Sequence, residues 1–458
     1  MTPEQLTIAG RFARAASLRG LPLLLAPIPF ICLVSLVVKY RVDVPYWDQW
    51  LLVPYLQRAY EGHLAPRDFL TLHAEHRPVF PRPIMLLLAR ATGWSISYEL
   101  ALNLLLALGI FAVLAWQIGI SRRLVGARGS NWALPVASLV VFSPNQWENW
   151  LWGWQIALFL NLLAVVAGVA LLARAVRRWW YLPAAMVLGI VASFSFACGL
   201  IYWVAALPAV VARPPEERHS ARRSLVAWLL VAAAVLAVYL YHYHTPSSHP
   251  SVRLFLTRPH ELAAYVLAYL GSPVSARYSL YAGLAGLAAL LATAWRLRRM
   301  QPAESRPLLL PYVCLSLYAV LAGAMTGVGR MGFGVPQALS PRYITISNLL
   351  WISDLVLLSL LAGRHAHAAG VPEPDRGLRR AKAASAAGLA VIVLCSLESA
   401  LQGVPFFAAE YHKRILARQE LCTARDVAPR SIYPPQQQQG EVAVLRRLHL
   451  SVFRKGRR

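Results

Sequence analysis

Apolar runs of about twenty residues recur along the chain, separated by short polar segments that are rich in arginine. A run of this length is what an α-helix needs to cross the hydrocarbon core of a bilayer. The pattern therefore predicts an all-α polytopic membrane protein with about eleven transmembrane helices. The predicted spans are residues 21–39, 97–120, 131–147, 154–173, 179–194, 197–212, 224–243, 278–295, 308–328, 344–363 and 385–403.

Two further apolar stretches are too short to be counted as spans. Residues 84–92 cannot cross a bilayer, and residues 260–274 have the length of an interfacial or re-entrant helix. The long polar segment 40–83 directly follows the first span and is expected to form the first outer loop. The sequence thus predicts a polytopic transmembrane domain over residues 1–403, which includes this loop, and a C-terminal tail over residues 404–458.

Arginine clusters indicate which loops face the cytoplasm. The loops that begin at residues 121, 174, 213, 296 and 364 all carry such clusters and fall on one side of the predicted topology. The positive-inside rule therefore predicts a cytoplasmic N-terminus and an extracytoplasmic tail. The tail is itself basic, but long tails cross the membrane regardless of their charge.

The composition agrees with a membrane protein. The chain is 58% hydrophobic and only 14% charged, whereas an ordinary soluble domain has about 25% charged residues. Its 45 lysines and arginines exceed its 20 acids, for a net charge of +25. In a soluble protein this excess would suggest nucleic acid, but loops that face anionic headgroups explain it here. Membrane lipids, and no nucleic acid, are therefore the expected partners of these residues.

The first candidate site is the segment Asp43-Val44-Pro45-Tyr46-Trp47-Asp48-Gln49-Trp50, which follows the first span. It presents two carboxylates among aromatic rings, where low dielectric and stacking favour sugar binding and a more basic carboxylate. We expect a functional role for this segment and favour Asp48 over Asp43, because rings bracket Asp48 on both sides, with Trp47 as a substrate contact. Solvated acids in an interfacial aromatic belt are the structural alternative.

The second candidate site is His73-Ala74-Glu75-His76-Arg77 together with Arg82. Two histidines three residues apart beside an acid could bind a divalent metal, but their spacing differs from the HExxH zinc motif. The sequence therefore supports no metal ligand and no definite cofactor. We interpret His73, Glu75, His76 and Arg77 as a network that orients a substrate, with a solvated loop as the other reading.

The third candidate site lies in residues 147–155, where four tryptophans alternate with amides and an acid. Tryptophan faces stack on the C–H surfaces of sugars, while carboxylates and amides bond to their hydroxyl groups. An aromatic belt would explain the tryptophans but not the polar residues between them. Trp147, Glu148 and Asn149 are therefore expected to bind a sugar.

The fourth candidate site combines Gly329-Arg330-Met331-Gly332 with Ser340-Pro341-Arg342-Tyr343, directly before a late span. A guanidinium at the start of a helix is suited to bind a phosphate diester, because the helix N-terminus also attracts anions. Arg330, Arg342 and Tyr343 are therefore candidate substrate-binding residues. A snorkelling anchor is the alternative for Arg342.

These features together resemble GT-C glycosyltransferases. The resemblance lies in an acid-bearing first outer loop, a further acid in the second outer loop, many spans and an outward C-terminal tail. The Arg342-Tyr343 pair is similar to the Arg-Tyr that opens a late helix in many bacterial members. The Asp43-x4-Asp48 spacing differs from the closer acid pairs of several members, which leaves the choice of base and the metal dependence open.

The resemblance implies an enzyme of the bacterial inner membrane that transfers a sugar from a polyprenyl-phosphate donor to a glycan or lipid acceptor on the outer face. Asp48, or else Asp43, would deprotonate the acceptor hydroxyl, and the anomeric carbon would invert. Arg342, with Arg330 or Arg77, would neutralise the leaving phosphate.

Two other functions are compatible with the sequence. One is a transporter or flippase for a lipid-linked saccharide, whose binding site would lie near the middle of the membrane. Only the acids within predicted spans, above all Asp354, favour it. The other is a non-catalytic envelope-assembly protein whose basic tail docks an anionic polymer.

Overall fold

The computed structural model describes residues 20–125, 131–174, 178–212, 218–244, 250–300, 305–364, 376–423, 431–432 and 440–454. Helices account for most of these residues, and no strand occurs among them. Eight of the described helices are long and apolar enough to cross a membrane, which confirms the all-α polytopic membrane architecture. They are Gly20–Tyr40, Ile96–Leu124, Gly153–Leu172, Ala221–Leu240, Ser279–Arg299, Leu308–Phe333, Pro341–Ala362 and Ala383–Thr423.

The predicted number of about eleven spans is not confirmed, because three predicted spans correspond to shorter helices. Residues 131–147, 179–194 and 197–212 contain Ala133–Val141, Tyr181–Ser193 and Ala197–Val211, respectively. The first of these ends before Pro144, which begins a series of short helical turns up to residue 155. A proline has no N–H to continue a helix. Hydropathy alone does not detect this interruption.

Two helices form the centre of the bundle. In the apolar stretches of Pro341–Ala362 and Gly153–Leu172, 89% and 78% of the residues are buried, against 22% in Gly20–Tyr40 and in Ala221–Leu240. The outer helices therefore keep most of their apolar surface for lipid, and the two central helices fix the positions of the segments at their ends.

The first loop folds into four short helices. They are Trp47–Leu52, Val53–Tyr60, Pro66–Leu70 and Pro81–Thr92, the last of which contains the short apolar stretch. Three of them carry proline in their first turn, where its missing N–H costs nothing. The last ends at Gly93, which has a left-handed φ of 63°.

The remaining helices complete the bundle. Pro259–Gly271, expected to be interfacial or re-entrant, packs closely on Ser279–Met300, since a Cβ at Gly271 would lie 1.9 Å from the Ser279 carbonyl oxygen. The last long helix, Arg376–Thr423, has 48 residues and is about 72 Å long. The boundary predicted at residue 403 lies within it. The spans Ala221–Leu240 and Leu308–Phe333 belong mostly to the helices Arg218–Leu240 and Ser305–Arg330. Shorter described helices include Leu254–Thr257 and Glu441–Arg447.

The long helices have two chemically different ends. The ends at Tyr40, Ile96, Leu240, Arg330 and Pro341 border the first loop or the cavity described below. The opposite ends carry the arginines of the predicted cytoplasmic loops, such as Arg122, Arg298 and Arg299. These three arginines lie at the ends opposite the cavity, whereas Arg330 and Arg342 lie beside it. That the ends opposite the cavity face the cytoplasm stays a prediction.

Candidate active site

A cavity of about 690 Å³ lies where the first loop meets the ends of several long helices. Its lining includes Asp48, Glu75 and His76 of the first loop and the two arginines Arg330 and Arg342. Apolar residues of the helices that carry the arginines continue the lining. On the helix that begins at Pro341, for example, Ile346 lines the cavity one turn beyond Arg342. Rings of Trp152, Trp154, Phe196, Tyr239, Tyr243, Tyr269 and Tyr343 complete the wall. The cavity therefore offers charged groups and an extended apolar surface to one ligand.

Asp48 enters the cavity from a single helical turn, Trp47–Leu52. The residue before it, Trp47, has a left-handed φ of 48°, which is unusual for a residue with a side chain. The Asp48 carboxylate reaches the His73 imidazole, with 3.5 Å between Oδ2 and Nε2. About a third of the Asp48 side chain is exposed, so it is accessible to a ligand in the cavity.

The turn formed by His73 to His76 carries the other polar side chains of the first loop. The two histidine backbones exchange N–H···O bonds of 2.8 Å, and Ala74 between them has a φ of 50°. The ring of His73 packs on Trp154 at 4.1 Å between centroids, and that of His76 stacks on Phe196 at 4.2 Å. The tryptophan segment and the histidine segment, separate in the sequence, thus meet in one wall.

Burial and charge set the protonation of these side chains. Burial raises the pKa of Asp48, but the hydrogen bond from His73 and the charges of His73, His76 and Arg342 outweigh it and lower that pKa. Burial lowers the pKa of His76 to about 4, so this imidazole is neutral at neutral pH. Its Nδ1 accepts a hydrogen bond from the Ala197 N–H at 3.0 Å.

Glu75 is held as a carboxylate at neutral pH. Burial raises its pKa, but the positive charges of His76 and Arg330 overcome this and lower it to about 2. Because His76 is neutral at neutral pH, Arg330 is the cation that pairs with Glu75 there, with 2.5 Å between Nη2 and Oε1. Because the Glu75 carboxylate is already paired with a guanidinium, it is a poorer proton acceptor than Asp48.

Arg342 is bound far less tightly than Arg330. Its Nη1 lies 3.7 Å from Glu148 Oε1, and about a third of its side chain is exposed. Its Nε is buried and has no hydrogen-bond partner among the residues that the structure describes. The helix that begins at Pro341 positions this guanidinium, and the Asn149 side chain fixes the backbone there by donating to the Arg342 carbonyl at 3.1 Å. Arg342 can therefore bind an anion in the cavity.

Several of the other predicted site residues do not line the cavity. Asp43 accepts the N–H of Ile96 at 2.7 Å and pairs with Arg454, so it anchors the start of a long helix. Arg77 donates to main-chain carbonyls, including that of Tyr239 at 2.7 Å, and so ties the first loop to a neighbouring helix.

The remaining predicted residues lie outside the cavity lining. Trp147 stacks on Phe406 at 5.5 Å, and Trp47 packs edge-on against Tyr46. Glu148 reaches the site only through Arg342, and Asn149 through the backbone of the same residue. The predicted residues that line the cavity are Asp48, Glu75, His76, Arg330, Arg342 and Tyr343, and His73 touches one of them.

Several aromatic residues of the wall and the support of the Asp48 turn were not predicted. Tyr239, Tyr243 and Phe196 lie near the ends of apolar runs, where an aromatic ring is usually an interfacial anchor, so they carry no distinct signal. Gln49 donates to the buried Glu99 at 2.5 Å, and Glu99 also accepts the Trp94 indole N–H at 2.9 Å. In the sequence, the signal that could have indicated this support is Glu99 itself, an acid in the first turn of a long apolar helix.

Metal binding has no evident basis in the described part of the chain. Within the described ranges, no group of three or more His, Cys, Asp and Glu side chains is arranged to hold an ion. Asp48 and His73 approach one another as a pair, and Glu75 faces Arg330 instead.

No protein family and no curated protein matches this chain. Two solved structures are similar to it in fold. One is the crystal structure of ArnT from Cupriavidus metallidurans bound to undecaprenyl phosphate, with 14% identity and a TM-score of 0.46 over 94% of this chain and 85% of that one. The other is the same ArnT in the apo state, with 15% identity and a TM-score of 0.47 over 92% and 84% of the two chains. These values are too low to support an inference about function, which rests on the cavity instead.

Proposed function

We propose that this protein is an integral membrane glycosyltransferase that transfers a sugar from a polyprenyl-phosphate donor to a glycan or lipid acceptor. One observation carries the proposal: Asp48 and Arg342 face the same cavity, and apolar residues such as Ile346, on the helix that carries Arg342, continue its lining. A carboxylate, a guanidinium and an apolar surface match the three parts of the reaction, namely an acceptor hydroxyl, a phosphate and a prenyl chain. In this proposal the site faces the outer side of the bacterial inner membrane.

The donor would bind with its phosphate at Arg342 and its prenyl chain along the apolar wall. Arg342 suits this role because its Nε is buried without a partner in the described chain and its contact with Glu148 is long. Arg330 is already paired with Glu75, so it would contribute a more distant positive field. The rings of Trp152 and Trp154 offer faces on which a sugar can stack.

The proposed reaction is a single displacement with inversion. The acceptor oxygen forms a bond to the anomeric carbon while the bond to the phosphate oxygen breaks, and the bonding electrons leave on the phosphate. The acceptor proton passes to Asp48, and Arg342 stabilises the additional negative charge on the phosphate. Because the pKa of Asp48 is lowered, the carboxylate is a weak base. Positioning and phosphate stabilisation must therefore supply much of the acceleration.

The test is to offer the purified wild-type protein, in proteoliposomes, a panel of labelled polyprenyl-phosphate sugars with membrane extracts as acceptors. The proposal predicts release of polyprenyl phosphate together with a labelled acceptor. An Arg342→Met variant should bind undecaprenyl phosphate at least about tenfold more weakly, because it loses the phosphate's cation. Arg258→Ala, which removes an exposed arginine outside the cavity, is the matched control and should bind as wild type does.

The same assay separates the alternative functions. A transporter would move the labelled donor across the bilayer without releasing polyprenyl phosphate. A non-catalytic assembly protein would do neither, and its partner binding would survive the loss of Asp48 and Arg342. Either result would overturn the proposed reaction.

A further inference from the structure

Residues 431–432 and 440–454, here called the C-terminal segment, lie close to the first loop, and Ile432 packs directly on the turn that carries Asp48. The carbonyl oxygen of Ile432 accepts two hydrogen bonds from this turn, from the Trp47 N–H at 2.8 Å and from the Trp50 indole N–H at 3.0 Å. Ile432 and Trp50 are both fully buried. One main-chain group from far along the chain therefore satisfies the donors on both sides of Asp48.

The first residue of the turn, Trp47, has a strained backbone that the hydrogen bonds to Ile432 help to hold. Trp47 has a φ of 48°, a conformation that residues with side chains rarely adopt unless their surroundings enforce it. The bond from Trp47 N–H to Ile432 is the contact that holds this residue from the C-terminal side. On the opposite side Gln49 accepts the Tyr46 N–H at 3.1 Å and donates to Glu99. The turn is thus fixed from two directions.

The rest of the described C-terminal segment attaches to the same region of the protein. Arg454 pairs with Asp43 and donates to the Thr92 carbonyl at 3.0 Å, and the Ser451 N–H donates to the Gly93 carbonyl at 2.8 Å. A Cβ at Gly93 would lie 2.8 Å from the Arg454 side chain, so the approach is close. The apolar side chains Val442, Leu445 and Leu450 are also buried. This packing is extensive enough to keep Ile432 in place.

We infer that the C-terminal segment is a positioning element of the active site, which holds the Asp48 carboxylate in its reactive place through the Ile432 carbonyl. The inference rests on the proposed function and adds to it a role for a segment that the sequence presented as a separate basic tail. The segment need not touch the substrate. A displacement of about 1 Å at a reacting group can lower a rate about a hundredfold.

The experiment compares two truncated proteins in detergent. The first ends at Arg430 and lacks residues 431–458; the second ends at Arg454 and lacks only Lys455, Gly456, Arg457 and Arg458. The first should show faster amide exchange in Trp47–Leu52 and a fall in kcat of at least about tenfold, with undecaprenyl phosphate bound within about twofold of wild type. The second keeps every contact described above and should match wild type in all three measurements.

A pair of point variants keeps the test valid if the first truncation does not fold. Trp50→Phe removes the indole N–H that reaches Ile432, and Trp228→Phe removes an equally buried indole N–H that reaches the Trp203 carbonyl at 2.9 Å, outside the cavity lining. Trp50→Phe should lower kcat several-fold and loosen the Asp48 turn, and Trp228→Phe should change neither.

Two failures are distinguishable. If the wild-type protein transfers no sugar, the proposed function fails, and the exchange of the Trp47–Leu52 amides still tests the positioning. If Trp50→Phe, and the first truncation where it folds, keep wild-type exchange in this turn or keep wild-type kcat, the positioning role is wrong. Loss of activity on removing only residues 455–458 would also contradict it, because it would assign the effect to the terminal basic residues.

Discussion

The contact between His73 and Asp48 makes a specific prediction about pH. Replacement of His73 by Phe removes the donor at Nε2 but keeps an aromatic ring that can pack on Trp154. The hydrogen bond and charge of His73 lower the pKa of Asp48 against the effect of burial, which raises it. His76 and Arg342 also face Asp48 and remain in place. In the variant the pKa of Asp48 should therefore rise.

The size of the effect follows from the geometry of the contact. A hydrogen bond to a charged group contributes about 1.5–3 kcal/mol. The 3.5 Å separation is long and the Asp48 side chain is about a third exposed, so solvent screens the interaction. We therefore take a value just below this range, about 1.4 kcal/mol, which corresponds to about one pKa unit or a tenfold change in an equilibrium or a rate.

The assay is the pH dependence of kcat/KM for sugar transfer. Asp48 acts as a base only when ionised, so activity rises with pH through the titration of this group. A higher pKa moves this acid limb toward higher pH, and on the limb the His73→Phe variant should be about tenfold slower than wild type. On the plateau at higher pH, where Asp48 is ionised in both proteins, the difference should be much smaller.

A matched variant separates the hydrogen bond from the ring. His73→Gln keeps an N–H donor near the position of Nε2 but loses the ring that packs on Trp154. Because it keeps a hydrogen bond but lacks the charge of His73, its acid limb should lie between those of wild type and His73→Phe, even if its plateau activity is lower. An unchanged acid limb in His73→Phe, or equal shifts in the two variants, would refute the role given to the hydrogen bond.

Three further predictions concern the support of the site. Gly153→Ala would place a Cβ 2.0 Å from Glu99 Oε2, so the variant should unfold about 1–3 kcal/mol more easily, measured as a lower Tm in detergent; an unchanged Tm would mean that Glu99 is not fixed there. Arg82→Met removes the guanidinium donors to the Asp68 and Thr71 carbonyls, of which only the Asp68 carbonyl keeps a second donor, the Thr71 hydroxyl. It should lower stability by about 2 kcal/mol in the same assay, with Arg67→Met, at an exposed position, as the control. Tyr239→Phe removes the 2.6 Å hydrogen bond that the Tyr239 hydroxyl donates to the backbone of the His73–His76 turn. The variant should lower kcat several-fold at unchanged Tm. A fall in Tm together with the fall in kcat would indicate a packing defect instead.

The sequence predicted the class of fold well because bilayer spans have a strong signal in length and hydropathy. It was less informative where a span is interrupted by polar turns, as after Ala133–Val141, since the interruption depends on packing around Pro144 and the tryptophans. The long helix Arg376–Thr423 shows the opposite case, in which a span continues as a helix through polar sequence that hydropathy assigns to a tail.

The candidate site was predictable only in part. Asp48, Glu75 and Arg342 are polar residues in segments of unusual composition, so the sequence alone makes them candidates, and the structure places them at one cavity. Asp43 had the same appearance, but its carboxylate accepts the Ile96 N–H at the start of a helix, and such a contact leaves no local pattern. The role of Ile432 could not be read at all, because it is exerted by a main-chain carbonyl and depends on contacts distant in sequence.

The most direct test of the central claim is a single-turnover measurement with the Asp48→Asn variant. Wild-type and variant proteins would first be loaded with the donor identified in the panel assay, and the transfer step would be started by adding acceptor. The account predicts that the variant binds donor within about twofold of wild type but transfers the sugar about 10²–10⁴-fold more slowly, because it lacks the base. Transfer by Asp48→Asn at the wild-type rate from bound donor would contradict the account.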